Sequence, residues 1–387
     1  MATLLLVVIY LSFISLGVPD SLLGTAWPVL YRELGVPLAS QSAVSILCSL
    51  ATMTSSMNSA RIISHLGTGK VTAFSTLLTA AALLGFSFMC LMAIPLGLGA
   101  GCVDSALNNY VSIHYNATVM SFLHCFYGVG VMVSPYIMSV VINSAVGWRG
   151  GYRTASLIQA LIGSILLLAL PLWKKAHGEE SIQAEKKMKV LPISQTLRIP
   201  GALMTCLLFL TFCAIEVICG GWSATYMVEA KHMPANLAAR ATMYFYLGMA
   251  LGRFLSGVAA KKLTPWQIIF ISMGILGVSQ TTLLVSGNNV LTMAALLMTG
   301  LGVGPLYPNF NYMTPLHFGK DVSQSVMGMQ MTFASIGTIA APALCGVLGQ
   351  LLGMGIFPAY LMIFYVLTAV GIIALRRTLR QVGRLQQ

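Results

Sequence analysis

Charge is scarce in this chain. Only 8% of its 387 residues are Asp, Glu, Lys or Arg, against about 25% in soluble domains, and 57% are hydrophobic. No soluble core buries that much apolar surface, so the class is polytopic membrane protein. Acids are rarer still, nine against 21 Lys and Arg. The eight cysteines form no C-x-x-C pair and lie within apolar stretches, so they read as small packing residues rather than disulfides or metal ligands. The histidines have no metal-ligand spacing, and no nucleophile–base constellation suggests an enzyme. No cofactor or metal is expected. The net charge of +12 is spread over segment ends rather than gathered in one patch, which argues against nucleic acid as a partner. The run from Leu4 has no basic region before it and no cleavage site after it, so it reads as a first span rather than a signal peptide.

What is present is long apolar sequence. Residues 263–319 and 322–375 contain no Lys, Arg, Asp or Glu. A span needs about 20 residues, so each stretch is a pair of spans joined by a tight turn. Read this way, the chain holds twelve helices, at about 3–31, 40–63, 70–90, 91–114, 119–145, 151–173, 200–228, 237–260, 266–286, 289–314, 321–351 and 353–376. The third and fourth leave almost no loop between them, so a sharp turn is expected near Cys90–Pro95. Three segments follow: a six-helix bundle over 1–173, a basic linker over 174–199, and a second six-helix bundle over 200–387.

Basic residues fix an orientation. With both termini cytoplasmic, sixteen of the 21 Lys and Arg fall on inner segments and inner helix ends, and five fall outside. A multi-pass protein of the cell membrane with both ends inside is the expected topology.

Asp104 stands out, because no other charged residue occurs between it and Lys70. A carboxylate at a helix centre costs about 2.5 to 3.5 kcal/mol on insertion scales, and such residues usually line an ion or substrate path. Its surroundings recur. Gly97, Gly99, Gly101 and Asn108 map onto Gly300, Gly302, Gly304 and Asn311, and Asp104 maps onto Tyr307. Phe126, Gly130 and Pro135 likewise align with Phe333, Gly337 and Pro342, and Asp20 and Gly24 with Glu216 and Gly220. Arg61 aligns with Arg253. The chain is therefore built from two related halves that run parallel.

Of the nine acids, only Asp20, Asp104 and Glu216 fall inside predicted spans. Burial disfavours the charged form of a carboxyl group, which suits it to binding and releasing a proton near neutrality. These three are the candidate proton-coupling residues. Gly97, Gly101, Asp104 and Asn108 share one helix face, which brings Asn108 beside the acid. An amide donates and accepts, which suits a polar, hydroxyl-rich solute. Tyr307, Asn309 and Asn311 are candidates for a facing wall, Trp222 for ring stacking, and His124 with Tyr127, one turn apart, for binding or relay. Trp27 reads as an interfacial anchor. The series Ser42, Ser45, Ser49, Thr52, Ser56 and Ser59 reads as a close-packing seam rather than a binding surface. Arg61 and Arg253 are expected near inner helix ends as gating residues.

The chain resembles the major facilitator superfamily over essentially its whole length, because parallel six-span repeats are that superfamily's pattern. Ala60-Arg61-Ile-Ile-Ser64-His65-Leu-Gly67-Thr-Gly-Lys70 is similar to its signature loop, with Ser64 and His65 where an acid and a base are usual. A narrower resemblance is to the fucose permease branch of sugar:proton symporters. It rests on Gly99-Ala-Gly-Cys-Val-Asp104-Ser-Ala-Leu-Asn108 and on Ala214-Ile-Glu216, Gly221-Trp222 and Tyr226. That resemblance implies proton coupling at Asp104 with a first-helix acid. The position matching that acid is Gly24, and Asp20 lies one turn earlier.

The expected fold is all-α, with twelve transmembrane helices in two pseudo-symmetric six-helix bundles. The expected function is secondary transport of a small polar solute such as a sugar, taken up with protons, or with sodium, by a monomer in the lipid bilayer. The rival reading is a proton-coupled exporter of drugs or metabolites. It is weakened by Ser134, Met138 and Ser139, which stand where the exporter motif on helix five has glycines, and favoured by the 23 methionines.

Overall fold

The computed structural model describes residues 2–86, 90–114, 117–176 and 193–383. The helices are α1 (Ala2–Gly17), α2 (Leu22–Leu34), α3 (Ser40–Leu66), α4 (Thr68–Phe86), α5 (Ala93–His114), α6 (Ala117–Val141), α7 (Gly147–Leu168), α8 (Leu170–Ala176), α9 (Ile193–Arg198), α10 (Ala202–Glu229), α11 (Ala235–Ala259), α12 (Pro265–Val285), α13 (Asn289–Val303), α14 (Leu306–Phe318), α15 (Lys320–Leu352) and α16 (Phe357–Gln381). Among the described residues they form twelve rods, with α1 and α2 end to end in the first and α13 and α14 in the tenth. Nine rods contain a window long and apolar enough to cross a membrane. The other three, α3, α5 and α11, all contribute to a central cavity.

Three predicted helices are interrupted, the sixth only at Ala169 between α7 and α8, and the breaks in the first and tenth lie at prolines. In the first rod, Pro19 lacks an N–H and the backbone turns through residues 18–21. The turn is held from α6, where Ser134 Oγ donates to Val18 O and Val131 O accepts from Ser21 Oγ at 2.7 Å. Asp20 sits at this break. In the tenth rod, Pro305 follows Gly304 at the junction of α13 and α14. The third helix is described as far as Phe86, and a 3₁₀ turn over Cys90–Met92 leads into α5; the rest of the expected sharp junction lies outside the described residues. At the start of α12, Thr264 Oγ1 accepts from Gln267 N while the Gln267 side chain accepts from Thr264 N, a reciprocal capping box.

The packing repeats as the sequence does. In the first half α1 packs on α6 and α7, α3 and α4 pack on α5, and α4 packs on α7. In the second half α10 packs on α15 and α16, α11 and α12 pack on α13, and α12 packs on α16. The correspondence reaches single residues. A Cβ on Gly130 would collide with the carbonyl oxygen of Ile14, and one on its repeat mate Gly337 would collide with that of Leu210. Both glycines exist to let helix backbones touch. The halves meet along α6–α11, α2–α10 and α3–α15. With twelve rods alternating in direction, the start of α1 and the end of α16 lie at one face of the bundle, and the α2–α3 and α10–α11 connections lie at the opposite loop face.

Candidate functional site

A cavity of about 820 Å³ lies between the halves. All three acids of the predicted spans line it: Asp20 from the α1–α2 break, Asp104 from α5 and Glu216 from α10. Three helices distant in sequence thus carry carboxyl groups to one space. Tyr127, nearly three turns into α6, donates through Oη to Asp20 Oδ2 at 2.6 Å. The repeat-related acid Glu216 has a different partner. Its Oε2 lies 3.5 Å from Nη2 of Arg253, and Arg253 Nη1 donates to the backbone carbonyl of His124 at 3.4 Å. Arg253 is only 7% exposed, and its Nε has no partner. A guanidinium held this way joins an acid of the second half to the backbone of the first. It satisfies the rule that a buried charge is paired.

Several predicted site residues do converge here. His124, Tyr127, Trp222 and Tyr307 all line the cavity. The rings of His124 and Tyr307 face each other across the halves at 5.8 Å between centroids. The hydroxyl of Tyr307 donates to Met331 Sδ at 3.2 Å. Trp222 is packed into the cavity wall at 1% exposure, with its Nε1 donating to the carbonyl of Pro342 at 2.9 Å.

Others are placed differently. Asn309 is not on the cavity. It is 8% exposed, and its Nδ2 donates to Ser256 Oγ at 2.9 Å and to Pro305 O at 2.7 Å. It pins α14 to α11 and satisfies a carbonyl beside the helix break. Asn311 also lies off the cavity, beside the hydroxyl of Tyr307 one turn back. Arg253 is not an end cap, since it reaches into the cavity. The side chains of Asn108 and Arg61 lie outside the described residues, as does most of the basic linker. Trp27 is no interfacial anchor: it is 1% exposed, with Nε1 donating to Leu38 O at 2.9 Å. The hydroxyl series on α3 is not only a packing seam, because Ser42, Ser45, Ser49 and Thr52 line the cavity.

Sequence reasoning missed Gln41, Tyr152 and Tyr246, which line the same space. Gln41 carried a signal, being a large polar residue one position before the hydroxyl series. The tyrosines carried none, because an aromatic residue in a span reads the same in a core or a cavity wall. Among the described methionines, Met53 and Met331 line the cavity.

Toward the loop face the halves are tied together. Glu229 Oε1 of α10 accepts from both Tyr31 Oη and Arg32 Nη2 of α2, each at 2.7 Å. Gln350 Oε1 accepts from Ala39 N at 3.1 Å, and Gln41 Nε2 donates to Gly221 O at 2.8 Å. α2 and α10 cross where Gly24 meets Gly220 and Gly221.

The family model described as Major Facilitator Superfamily matches this chain over residues 9–243 and again over 204–384. The chain is also similar to "Bypass of stop codon protein 6" of Saccharomyces cerevisiae, at 22% identity over 89% of this chain and 77% of that protein.

Proposed function

Starting from a chain that belongs to the Major Facilitator Superfamily, and is therefore a multi-pass membrane transporter of small molecules, we propose that it takes up a small, polar, neutral solute together with protons. The two bundles, 1–173 and 200–387, move as units about the central cavity, joined by the linker 174–199. The observation that carries this reading is the meeting of Asp20, Asp104 and Glu216 on one cavity between the halves. Carboxyl groups taken out of water are costly unless they serve a pathway. Groups that gain and lose protons at the same place as the solute link the two movements.

Glu216 is paired with Arg253, and Asp20 is held by Tyr127. We assign the coupling proton to Asp104, whose stretch Gly99–Asn108 resembles the fourth helix of the sugar:proton symporters, with Asp20 and Glu216 assisting. His124, Tyr127, Trp222 and Tyr307 contact the solute through ring faces and polar edges. An anionic solute is disfavoured by three acids against one guanidinium. A neutral hydroxylated one fits a wall of aromatic and hydroxyl groups. The contacts at Glu229, Gln350 and Gly221 close the loop face in this conformation and must part for the cavity to open there.

The test is a proteoliposome experiment. Purified protein is reconstituted with a pH-sensitive dye inside, and hexoses, hexitols, amino acids and choline are added in turn. The reading predicts that a neutral hydroxylated solute alone drives proton entry. Solute movement with no proton movement for any compound would sink the coupling claim.

A further inference from the structure

On α3, Gln41, Ser45 and Ser49 recur at four-residue steps and all line the cavity. With a 1.5 Å rise per residue, they span about 12 Å along one helix face. The side chain of Gln41 is 3% exposed. Its Nε2 is used on Gly221 O, and its Oε1 has no hydrogen-bond partner. A buried amide oxygen left bare is costly; this one has almost no accessible surface in this conformation, and a donor from a solute reaches it as the side chain shifts within the cavity wall it lines. Ser45 and Ser49 make no hydrogen bond to the described residues, whereas Thr52 is spent on its own helix at Cys48 O. The wall thus offers one pure acceptor and two hydroxyls that donate or accept. It carries no charge.

We propose that this wall is the recognition subsite for the hydroxyl groups of a neutral polyhydroxylated solute, with Gln41 as the specificity-determining residue. The proposal deepens the transport reading above and rests on it for the cavity's purpose. A hydroxyl of the solute donates to Gln41 Oε1, and further hydroxyls pair with Ser45 and Ser49. The ring of Trp222 is near the same end, because Ser42 Oγ and Trp222 Nε1 both donate to Pro342 O. Gln41 also belongs to the closure between the halves, through Gly221. The acceptor is therefore positioned only while the halves are closed at this end. A solute reaching it is recognised by both halves at once.

The experiment measures binding of glycerol, sorbitol, D-glucose, maltose and choline to the full-length purified chain by calorimetry. Wild type is compared with Gln41→Leu, Ser45→Ala and Ser49→Ala. Ser45 and Ser49 have no hydrogen bond to lose among the described residues, so their variants are expected to fold and to report on the ligand. The expected result is binding of at least one of sorbitol, D-glucose and maltose, weakened at least tenfold by Gln41→Leu and three- to tenfold by Ser49→Ala. Binding of choline in place of the polyols, binding of none of the five, or unchanged polyol affinity in Gln41→Leu and Ser49→Ala would overturn it. Failures of the two readings separate. Polyol binding that needs Gln41 without proton movement removes the coupling and keeps the wall. Proton-driven uptake indifferent to Gln41 and Ser49 does the reverse.

Discussion

Arg253 of α11 holds Glu216 of α10 at 3.5 Å while donating to the carbonyl of His124 on α6, in the other half of the molecule. One guanidinium therefore ties an acid on the cavity to the seam between the bundles. Any change in the charge of Glu216 alters what holds that seam.

The first prediction concerns this pair. Removing one member of a buried ion pair strands the other, at about 3–5 kcal/mol. Arg253→Met is expected to lower thermal stability in detergent strongly. The double variant Arg253→Met with Glu216→Gln is expected to recover most of the loss, because no charge is then stranded. A double variant less stable than Arg253→Met would show that the pair is not the source of the effect.

A second prediction concerns the repeat-related glycines. A side chain at Gly130 or Gly337 drives into the carbonyl of Ile14 or Leu210, and overpacking costs about 1–3 kcal/mol. Gly130→Val and Gly337→Val should each reduce the melting temperature by a similar amount. A neutral result at either position would contradict the close approach of α1 to α6 or of α10 to α15.

Asn309 supplies a third. Its amide is spent on Ser256 and Pro305, so Asn309→Leu should cost stability, about 1–2 kcal/mol for the lost bonds. The apparent KM for the transported solute should stay within twofold of wild type. A large rise in KM with unchanged stability would return Asn309 to the binding site.

The loop-face closure gives a fourth. Arg32 and Glu229 are partly exposed, so the pair itself is worth less than about 1 kcal/mol, but it marks where the halves touch. Cysteines replacing Arg32 and Glu229, joined by a short cleavable thiol reagent, should stop transport, and cleavage should restore it. Full transport by the cross-linked protein would mean that this face does not open.

How much of this was legible beforehand follows from what each residue's type reveals. Three acids within apolar runs announce themselves, because their cost in a membrane is so high. The glycine and proline spacing reveals the repeat, because close approach and helix breaks demand those residues. The α1–α2 break at Pro19 was less clear, since a proline inside a span kinks some helices and only bends others. Hydroxyl residues at helical spacing were ambiguous. A series such as Ser42, Ser45, Ser49 and Thr52 has the same pattern whether it faces a neighbouring helix or a cavity, and only the packing of α3 decides. Arg253 was misplaced by its alignment with Arg61, because equivalent backbone positions say nothing of where a long side chain reaches. Asn309 and Trp27 were misread for a similar reason, since their hydrogen-bond partners Ser256 and Leu38 are visible only in three dimensions.

The central claim is that protons and solute share one cavity through Asp104. The most direct measurement is solute accumulation in proteoliposomes under an imposed pH gradient, compared for wild type and Asp104→Asn, alongside solute exchange without a gradient. The account predicts that Asp104→Asn loses gradient-driven accumulation and retains exchange. Accumulation at the wild-type level in that variant would contradict it.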